Sequence, residues 1–249
     1  MADPFRLDGK TALITGGASG IGEATARIFS EAGARVLIVD VDHSRAEALA
    51  GTLEAAEAFA CDITDETQVS ALMSSLDRLD VLINSAGIGL VGTIEETKAA
   101  DFLRLWRVNV EGLYLMTQAA MPLLIKAHGV VVNIGSVAGM VGIKRRFAYC
   151  ATKGAVIALT RQLAVDYPRQ IRANCIAPGT VESPFVEGYL EKYHHDEKEK
   201  VREELHQRQP LGRMGRPDEI AKLALYISSS AADFMNGAVV AIDGGWTAA

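Results

Sequence analysis

The alternation of short β-branched runs with amphipathic stretches is the feature that most constrains how this chain can fold. The runs are apolar on both faces, as strands sandwiched between helices must be. Strands that alternate with helices pair in parallel through right-handed crossovers. The sequence therefore predicts an α/β fold with a doubly wound, seven-stranded parallel sheet flanked by helices, with strands in TALIT, RVLIVD, AEAFACD, LDVLINSAG, GVVVNIGS, IRANCIAPG and VVAIDGG.

Composition narrows the class of protein further. Without a linker-like tract or a repeat, we expect residues 1–249 to form a single domain. The net charge of −6 with interspersed signs argues against a nucleic-acid surface, and strand-sized apolar runs argue against a membrane span. The N-terminal MADPFRLDGK lacks the apolar core of a signal peptide, so we expect a cytoplasmic protein. Cys61, Cys150 and Cys175 are expected to be free thiols, and no metal site is expected.

The glycine-rich stretch TGGASGIG, from Thr15 to Gly22, lies between the first predicted strand and the first predicted helix. Ligands of doubly wound sheets bind beyond the carboxyl ends of the strands. A helix N-terminus offers free N–H groups and a partial positive charge, which suit a pyrophosphate. Because Gly16, Gly20 and Gly22 allow the backbone to approach such an anion, the stretch predicts a dinucleotide site.

An acidic residue, Asp40, closes the second predicted strand, RVLIVD. A carboxylate at this position can accept hydrogen bonds from the adenosine ribose hydroxyls and would repel a 2′-phosphate. No arginine or lysine occurs within TGGASGIG to bind that phosphate. These features favour NAD over NADP as the cofactor. The alternative is that Asp40 only caps the helix that follows it.

The spacing of the glycines, GxxxGxG, resembles that of the short-chain dehydrogenase/reductase family. Further motifs of that family follow in order over nearly the whole chain, namely CDITD, NSAG, VNVEG, NIGS, YCATK and PGTVES. The chain is therefore identified as a member of the classical branch of this family. The resemblance implies a Rossmann-type fold and a nicotinamide cofactor.

Matching the family's motifs residue by residue implies a set of cofactor-binding positions. In this resemblance Asp62 contacts the adenine amino group, the NSAG segment borders the adenine, and Ser183 replaces a threonine that touches the nicotinamide carboxamide. The implied cofactor-binding residues are Gly16, Ser19, Gly20, Ile21, Gly22, Asp40, Asp62, Ile63, Asn84, Ala86, Gly87, Tyr149, Lys153, Pro178, Gly179, Val181 and Ser183.

Tyr149 and Lys153 are four residues apart, which places them on one face of a helix. A free tyrosine has a pKa of about 10. A nearby ammonium, together with a positive nicotinamide ring, should lower that pKa so that the tyrosine exchanges a proton with the substrate. Ser136 can hydrogen-bond the same substrate oxygen. By resemblance, Lys153 also binds the nicotinamide ribose, and Asn109 orders a water that relays protons.

A charged helical segment at about 183–213 is expected to cover the substrate, as its equivalent does in the family. Within it, His194 and His195 are interpreted as part of a solvated helical face rather than as metal ligands. Arg145 and Arg146 precede Tyr149 and could present a planar fork to a carboxylate. The alternative is that both arginines face solvent or a subunit contact.

The chain also resembles the subgroup of cytosolic 3-hydroxybutyrate and 2-keto-3-deoxy-sugar-acid dehydrogenases. In that subgroup, arginines at the positions of Arg146 and Arg208 bind the substrate carboxylate, whereas a further lid arginine falls on Tyr189 here. The resemblance therefore implies a small, possibly anionic substrate. It also implies self-association, commonly as a homotetramer.

Three other functions stay open on the sequence alone. The chain could reduce 3-ketoacyl groups on acyl carrier protein, although Asp40 disfavours the NADP typical of those reductases. It could oxidise a neutral sugar or polyol. It could also be a nucleotide sensor without activity, but such a sensor would not need Asn109, Ser136, Tyr149 and Lys153 together.

Overall fold

A computed structural model describes residues 3–248, so residues 1, 2 and 249 of the expected domain lie outside the described range. Its strands are β1 (Thr11–Thr15), β2 (Arg35–Asp40), β3 (Ala56–Ala60), β4 (Val81–Asn84), β5 (Val130–Ile134), β6 (Arg172–Pro178) and β7 (Val239–Ile242). They form one parallel sheet in the order β3-β2-β1-β4-β5-β6-β7. The predicted doubly wound seven-stranded sheet is confirmed.

Helices connect the strands and cover both faces of the sheet. They are α1 (Gly20–Glu31), α2 (His43–Ala50), α3 (Glu66–Ser74), α4 (Ala99–Trp106), α5 (Gly112–Ala127), α6 (Phe147–Asp166), α7 (Pro184–Tyr193), α8 (Lys198–Gln207) and α9 (Pro217–Ser228). Short 3₁₀ turns span Val137–Gly139, His195–Glu197, Ser230–Ala232 and Trp246–Ala248. Within residues 3–248, none of the helices has the length and apolar character needed to cross a membrane.

The core lies on both faces of the central strands. Leu13 of β1 packs into a cluster with α3 and α5, whereas the next residue, Ile14, packs into a second cluster with α1 and α9. Both side chains are fully buried. This burial on both faces is the physical reason why the strand runs are apolar throughout instead of alternating with polar residues.

Two predicted helical regions are interrupted. The helix that carries Asn109 contains a π-helical turn, Arg107–Glu111, between α4 and α5. The charged segment at 183–213 divides at His194, which leaves the helical conformation (φ −143°, ψ 35°) and separates α7 from α8. These two helices share a small apolar cluster of their own, formed by Val186, Leu190, Val201, Leu205 and Met214.

The carboxyl ends of four neighbouring strands meet at one edge of the sheet. β1 ends at Thr15, β4 at Asn84, β5 at Ile134 and β6 at Pro178. The chain order reverses between β1 and β4, and such a reversal opens a crevice at this edge. The residues that follow these strands are therefore the first place to look for a functional site.

Candidate active site

The glycine-rich loop after β1 lies against the loop after β4. Gly16 (φ 62°) and Gly20 (φ 54°) adopt left-handed conformations that favour glycine. A Cβ added to Gly16 would lie 2.8 Å from the Ala86 Cα, and one added to Gly22 would overlap the Gly16 carbonyl oxygen. The chain thus turns tightly into α1, whose first-turn N–H groups have no partners within the helix.

Asp40, at the end of β2, is tied to the glycine-rich loop. Its Oδ2 accepts a hydrogen bond from the Ala18 N–H at 3.0 Å, and its Oδ1 accepts one from the Asp42 N–H at 3.1 Å. The N-cap of α2 is Asp42, whose side chain accepts from the Arg45 N–H. The alternative interpretation of Asp40 as a helix cap is therefore wrong.

Tyr149 and Lys153 lie near the start of α6 and face Ser136, which follows β5. The Lys153 Nζ donates to the Ile134 carbonyl oxygen at 2.9 Å and lies 5.8 Å from the centroid of the Tyr149 ring. Ser136 caps a 3₁₀ turn, because its Oγ accepts from the Ala138 N–H at 3.1 Å. The sheet edge and one helix thus bring a phenol, an ammonium and a hydroxyl together at one cavity.

Burial dominates the ionisation of both titratable groups in this cluster. It raises the pKa of the Tyr149 phenol to about 12, although the Ser136 hydroxyl and the Arg146 charge act to lower it. It lowers the pKa of the Lys153 ammonium to about 8. In the protein alone, the expected lowering of the tyrosine pKa is therefore not found, because desolvation of the phenolate outweighs the Ser136 hydrogen bond and the Arg146 charge.

Asn109, in the π-helical turn, holds the loop after β4. Its Nδ2 donates to the Ile88 carbonyl oxygen at 2.9 Å, and its Oδ1 accepts from the Ile88 N–H at 2.8 Å. The same Nδ2 donates to the Thr152 Oγ1 on α6 at 3.2 Å. A Cβ added to Gly87 would lie 3.3 Å from the Asn109 Oδ1. Asn109 therefore joins this loop to α6 behind the cavity.

One cavity is lined by most of the residues that the sequence predicts for the site. It runs from the glycine-rich loop, past the ends of β4, β5 and β6, to the segment that begins at Ser183. The predicted residues that line it are Gly16, Ser19, Gly20, Ile21, Ala86, Gly87, Ser136, Arg146, Tyr149, Lys153, Pro178, Gly179, Val181, Ser183 and Arg208.

The other predicted residues do not line this cavity. Three of them, Gly22, Asp40 and Asn109, have the contacts described above. The Asp62 carboxylate is exposed and accepts hydrogen bonds from the backbone and hydroxyl of Thr64. Ile63 is buried against Gly112 of α5. Asn84 is buried too, and its amide donates to side chains of α5 and β5.

The two adjacent arginines before α6 have different partners. Arg145 adopts a left-handed backbone (φ 57°), is exposed, and pairs with Glu96 at 3.0 Å. Arg146 is half-buried and lines the cavity, with its Cζ 4.5 Å from the centroid of the Tyr189 ring. Burial lowers the pKa of the Arg146 guanidinium, and the charge of Arg208 lowers it further.

Arg208 lines the same cavity from the end of α8, and its Cζ lies 5.9 Å from the centroid of the Trp246 ring. In the described range, no carboxylate pairs with Arg146 or Arg208. Two guanidinium groups thus face the cavity beside Tyr149 without an acidic partner. This arrangement suits an anionic group of a ligand.

Two aromatic residues of the cavity were not predicted from the sequence. The Phe185 ring lies 6.2 Å from that of Tyr149 (centroid to centroid) and occupies the space that a Gly89 side chain would fill. Trp246 comes from the C-terminal 3₁₀ turn. The feature that could have indicated Phe185 is its position two residues after Ser183, at the start of the covering segment. No residue near Trp246 in the sequence indicates its contact with Arg208.

The interpretation of both histidines as a solvated face is wrong for His194. The His194 side chain is 25% exposed, and its Nε2 lies 2.8 Å from the Tyr189 hydroxyl. The His195 side chain is 68% exposed and pairs with Glu191. Within residues 3–248, no three His, Cys, Asp or Glu side chains are grouped so that they could hold a metal ion.

Comparisons with known proteins extend over nearly the whole chain. A family model described as enoyl-(acyl carrier protein) reductase matches residues 16–247. The chain is 39% identical to 2-(S)-hydroxypropyl-CoM dehydrogenase 3 of Xanthobacter autotrophicus over 98% of both chains. It is 37% identical to 2-keto-3-deoxy-L-fuconate dehydrogenase of Xanthomonas campestris, over 97% of this chain and 81% of that protein. The crystal structure of gox2181 matches with a TM-score of 0.92 at 31% identity, covering 99% of this chain and 98% of that one.

Proposed function

The chain belongs to the short-chain dehydrogenase/reductase family of oxidoreductases, and on that premise we propose that it transfers a hydride between NAD(H) and a secondary alcohol or ketone. The substrate that we propose is a small hydroxy acid or sugar acid. The observation that carries the proposal is the single cavity that joins the glycine-rich loop, Tyr149, Ser136 and Lys153.

The residues around the glycine-rich loop fit a dinucleotide. A side chain at Gly16 would collide with the loop after β4, so the loop keeps an open backbone cradle before α1. The α1 N-terminus favours the pyrophosphate. Asp40 lies beside the loop, where its carboxylate would bind ribose hydroxyls and repel a 2′-phosphate. These features support NAD rather than NADP, with the other cofactor-binding residues as predicted from the motifs.

The chemistry of the cavity is a coupled proton and hydride transfer. A nicotinamide held in this cavity would supply the hydride donor or acceptor, and the positive charge of its oxidised ring would act to lower the Tyr149 pKa, which is about 12 in the protein alone. Tyr149 takes the proton of the substrate hydroxyl in oxidation and returns it in reduction. Ser136 binds the same oxygen, and Lys153 holds the nicotinamide ribose. Asn109, behind Lys153, orders the water that passes the proton towards solvent.

The arginines support an acidic substrate. Arg146 and Arg208 reach the cavity from different elements and lack a carboxylate partner among residues 3–248. Charged groups that are partly buried and unpaired are costly, and a substrate carboxylate would compensate both. Among the relatives, the name 2-keto-3-deoxy-L-fuconate dehydrogenase refers to a sugar acid. A substrate carboxylate between the two guanidinium groups is therefore part of the proposal.

We also propose that residues 1–249 form one domain, with the segment at about 183–213 as the cover of the cavity, in a cytoplasmic homotetramer. Support for association comes from large apolar side chains exposed on neighbouring helices. Leu103 of α4 is 64% exposed, Tyr114 of α5 is 48% exposed and Phe147 of α6 is 47% exposed. Analytical ultracentrifugation would test this, and a monomer would contradict it.

The test of the function measures initial rates of NAD and NADP reduction with 3-hydroxybutyrate, deoxy-sugar acids, sugar lactones and neutral polyols. Arg146→Asn is compared with the matched control Arg145→Asn, because asparagine tolerates the left-handed backbone at 145. We expect NAD-linked oxidation of an acid, a raised KM for it in Arg146→Asn, and no change in the control.

Other outcomes would identify the alternatives. Turnover of neutral polyols alone, unaffected by Arg146→Asn, would overturn the acidic substrate and leave the cofactor and Tyr149 in place. Reduction of 3-ketoacyl carrier substrates at far higher kcat/KM would favour a carrier-protein reductase. Nucleotide binding without turnover of any substrate would favour a sensor.

A further inference from the structure

Arg146 has little in its own surroundings to fix its direction. Within residues 3–248 its side chain makes one hydrogen bond, from Nη1 to the Leu90 carbonyl oxygen at the long distance of 3.4 Å. Arginine side chains have several rotatable bonds, so a guanidinium held by one weak bond would sample many orientations. Its position in the cavity must therefore depend on packing against its neighbours.

The neighbour that packs on Arg146 is Tyr189, from α7 of the covering segment. The Arg146 Cζ lies 4.5 Å from the centroid of the Tyr189 ring. A ring that covers the flat face of a guanidinium leaves the in-plane N–H groups free to bind a carboxylate. Tyr189 itself packs on the apolar cluster shared by α7 and α8, so its ring has a firm backing.

A chain of polar contacts fixes the Tyr189 ring from its other end. The Tyr189 hydroxyl lies 2.8 Å from the His194 Nε2, and the His194 Nδ1 lies 3.3 Å from the Glu197 Oε1. The His194 ring also meets the Tyr189 ring edge-on, with centroids 5.0 Å apart. The break between α7 and α8 at His194 is what turns this imidazole back towards Tyr189.

We propose that the chain Glu197–His194–Tyr189 orients Arg146 for binding an anionic substrate, so that Tyr189 is a positioning residue that determines specificity for acids. Docking of the covering segment and formation of the anion site are then a single event. The inference rests on the proposed carboxylate contact of Arg146 and adds to it the side chains that make the contact possible.

The first test is a comparison of KM and kcat for a hydroxy acid and a neutral alcohol in Tyr189→Leu and Tyr189→Phe. We expect Tyr189→Leu to raise KM for the acid about tenfold, the effect of losing a desolvated cation–π contact, with kcat and the KM of the neutral alcohol unchanged. Tyr189→Phe keeps the ring but loses the bond to His194, so it should recover most of the affinity.

The matched pair His194→Gln and His195→Gln tests the polar chain. His194→Gln should resemble Tyr189→Phe, and the double variant Tyr189→Phe/His194→Gln should be no worse than either single one, because both remove the same contact. His195→Gln should equal the parent, since His195 is exposed and, among residues 3–248, pairs only with Glu191.

The outcomes separate this inference from the function it rests on. If Arg146→Asn raises KM for the acid but Tyr189→Leu does not, the positioning role is overturned and the acidic substrate stands. If Tyr189→Leu raises KM for acid and neutral alcohol equally, its role is only to hold the covering segment, which also overturns the inference.

A readout without substrate covers the case in which no acid is turned over. The Nε–H resonance of Arg146, assigned by its loss in Arg146→Lys, should carry a ring-current shift from Tyr189. Tyr189→Leu should abolish that shift and His194→Gln should reduce it. An unchanged resonance in Tyr189→Leu would overturn the inference whatever the substrate is.

Discussion

The residues at the sheet edge and the residues of the covering segment are held in place by different forces. At the sheet edge, Lys153 is 7% exposed and bonds to the backbone of β5, and Asn109 bonds to the backbone after β4. The covering segment is held by a small apolar cluster, by the contacts of Tyr189 with His194 and Arg146, and by ion pairs at the surface, such as the one between Arg202 and Glu187 at 2.8 Å.

This difference separates reaction chemistry from substrate recognition. Groups that move a proton must keep their geometry, and the buried backbone contacts of the sheet edge provide it. A segment with few buried contacts can change its sequence or its position at a small cost in stability. We therefore expect changes at the sheet edge to alter kcat, cofactor use or stability, and changes in the covering segment to alter KM.

The largest expected effect is that of Tyr149→Phe. Loss of the general acid/base should lower kcat by about 10³-fold, within the range usual for such groups. Dinucleotide affinity, measured by fluorescence titration, should stay close to that of the parent. Tyr226 of α9 packs on Phe5 away from the cavity, so Tyr226→Phe is the control. A residual rate within tenfold of the parent would mean that another group carries the proton.

The next effect is on cofactor choice in Asp40→Asn. Loss of the carboxylate removes charged hydrogen bonds to the ribose and a repulsion of the 2′-phosphate, so the preference for NAD over NADP should fall about 10- to 100-fold. The ratio of kcat/KM values measures it. Asp42→Asn is the control, because asparagine also caps a helix. An unchanged ratio in Asp40→Asn would place cofactor selection elsewhere.

Asp80→Asn tests the end of the sheet that lies opposite the cavity, because Asp80 directly precedes the first residue of β4. Asp80 is 2% exposed and accepts hydrogen bonds from the Thr11 N–H at 2.9 Å and from Arg78 and Lys10. The variant should lose about 2 kcal/mol of the free energy of unfolding in urea and keep its kcat. The exposed neighbour Asp77 offers the control Asp77→Asn. A stability equal to that of the parent would contradict the role of the carboxylate.

The same carboxylate gives a pH dependence of known sign. Burial alone would raise the Asp80 pKa, but the bonds from Arg78, Thr11 and Lys10 together hold it below the usual 3.8. Its contribution to stability is therefore complete above pH 3.8, the pKa of the unfolded state. The contribution is lost as the pH falls through the lower pKa that Asp80 has in the folded state. Asp80→Asn should remove this part of the acid dependence, so parent and variant should converge in strong acid.

The smallest effect is expected in the covering segment, for Arg202→Ala. The ion pair with Glu187 is partly exposed, so its loss should cost at most about 1 kcal/mol and less at high salt. The kcat should not change, and KM for substrate should rise by less than about threefold, within the same energy range. A large fall in kcat would contradict the division between reaction chemistry at the sheet edge and substrate recognition in the covering segment.

The sequence by itself determined the strands, their parallel arrangement and the positions of Tyr149, Lys153 and Ser136 after them. These follow from features that are local in the chain. The apolar runs of β1 and β5 report burial on both faces, and a spacing of four residues fixes one helix face. The cofactor-binding residues, by contrast, were implied by the resemblance to a known family, and most of them line a single cavity.

Only the tertiary structure decided which polar groups face that cavity and in what electrostatic state. Arg145 and Arg146 are adjacent residues of the same type, and the sequence does not distinguish them. In the structure, Arg145 has a left-handed backbone and pairs with Glu96, whereas Arg146 packs against Tyr189. His194 and His195 separate in the same way at a helix break. The raised pKa of Tyr149 likewise depends on burial by distant segments. Solvent access and contacts between remote residues are set by packing, and no local pattern encodes them.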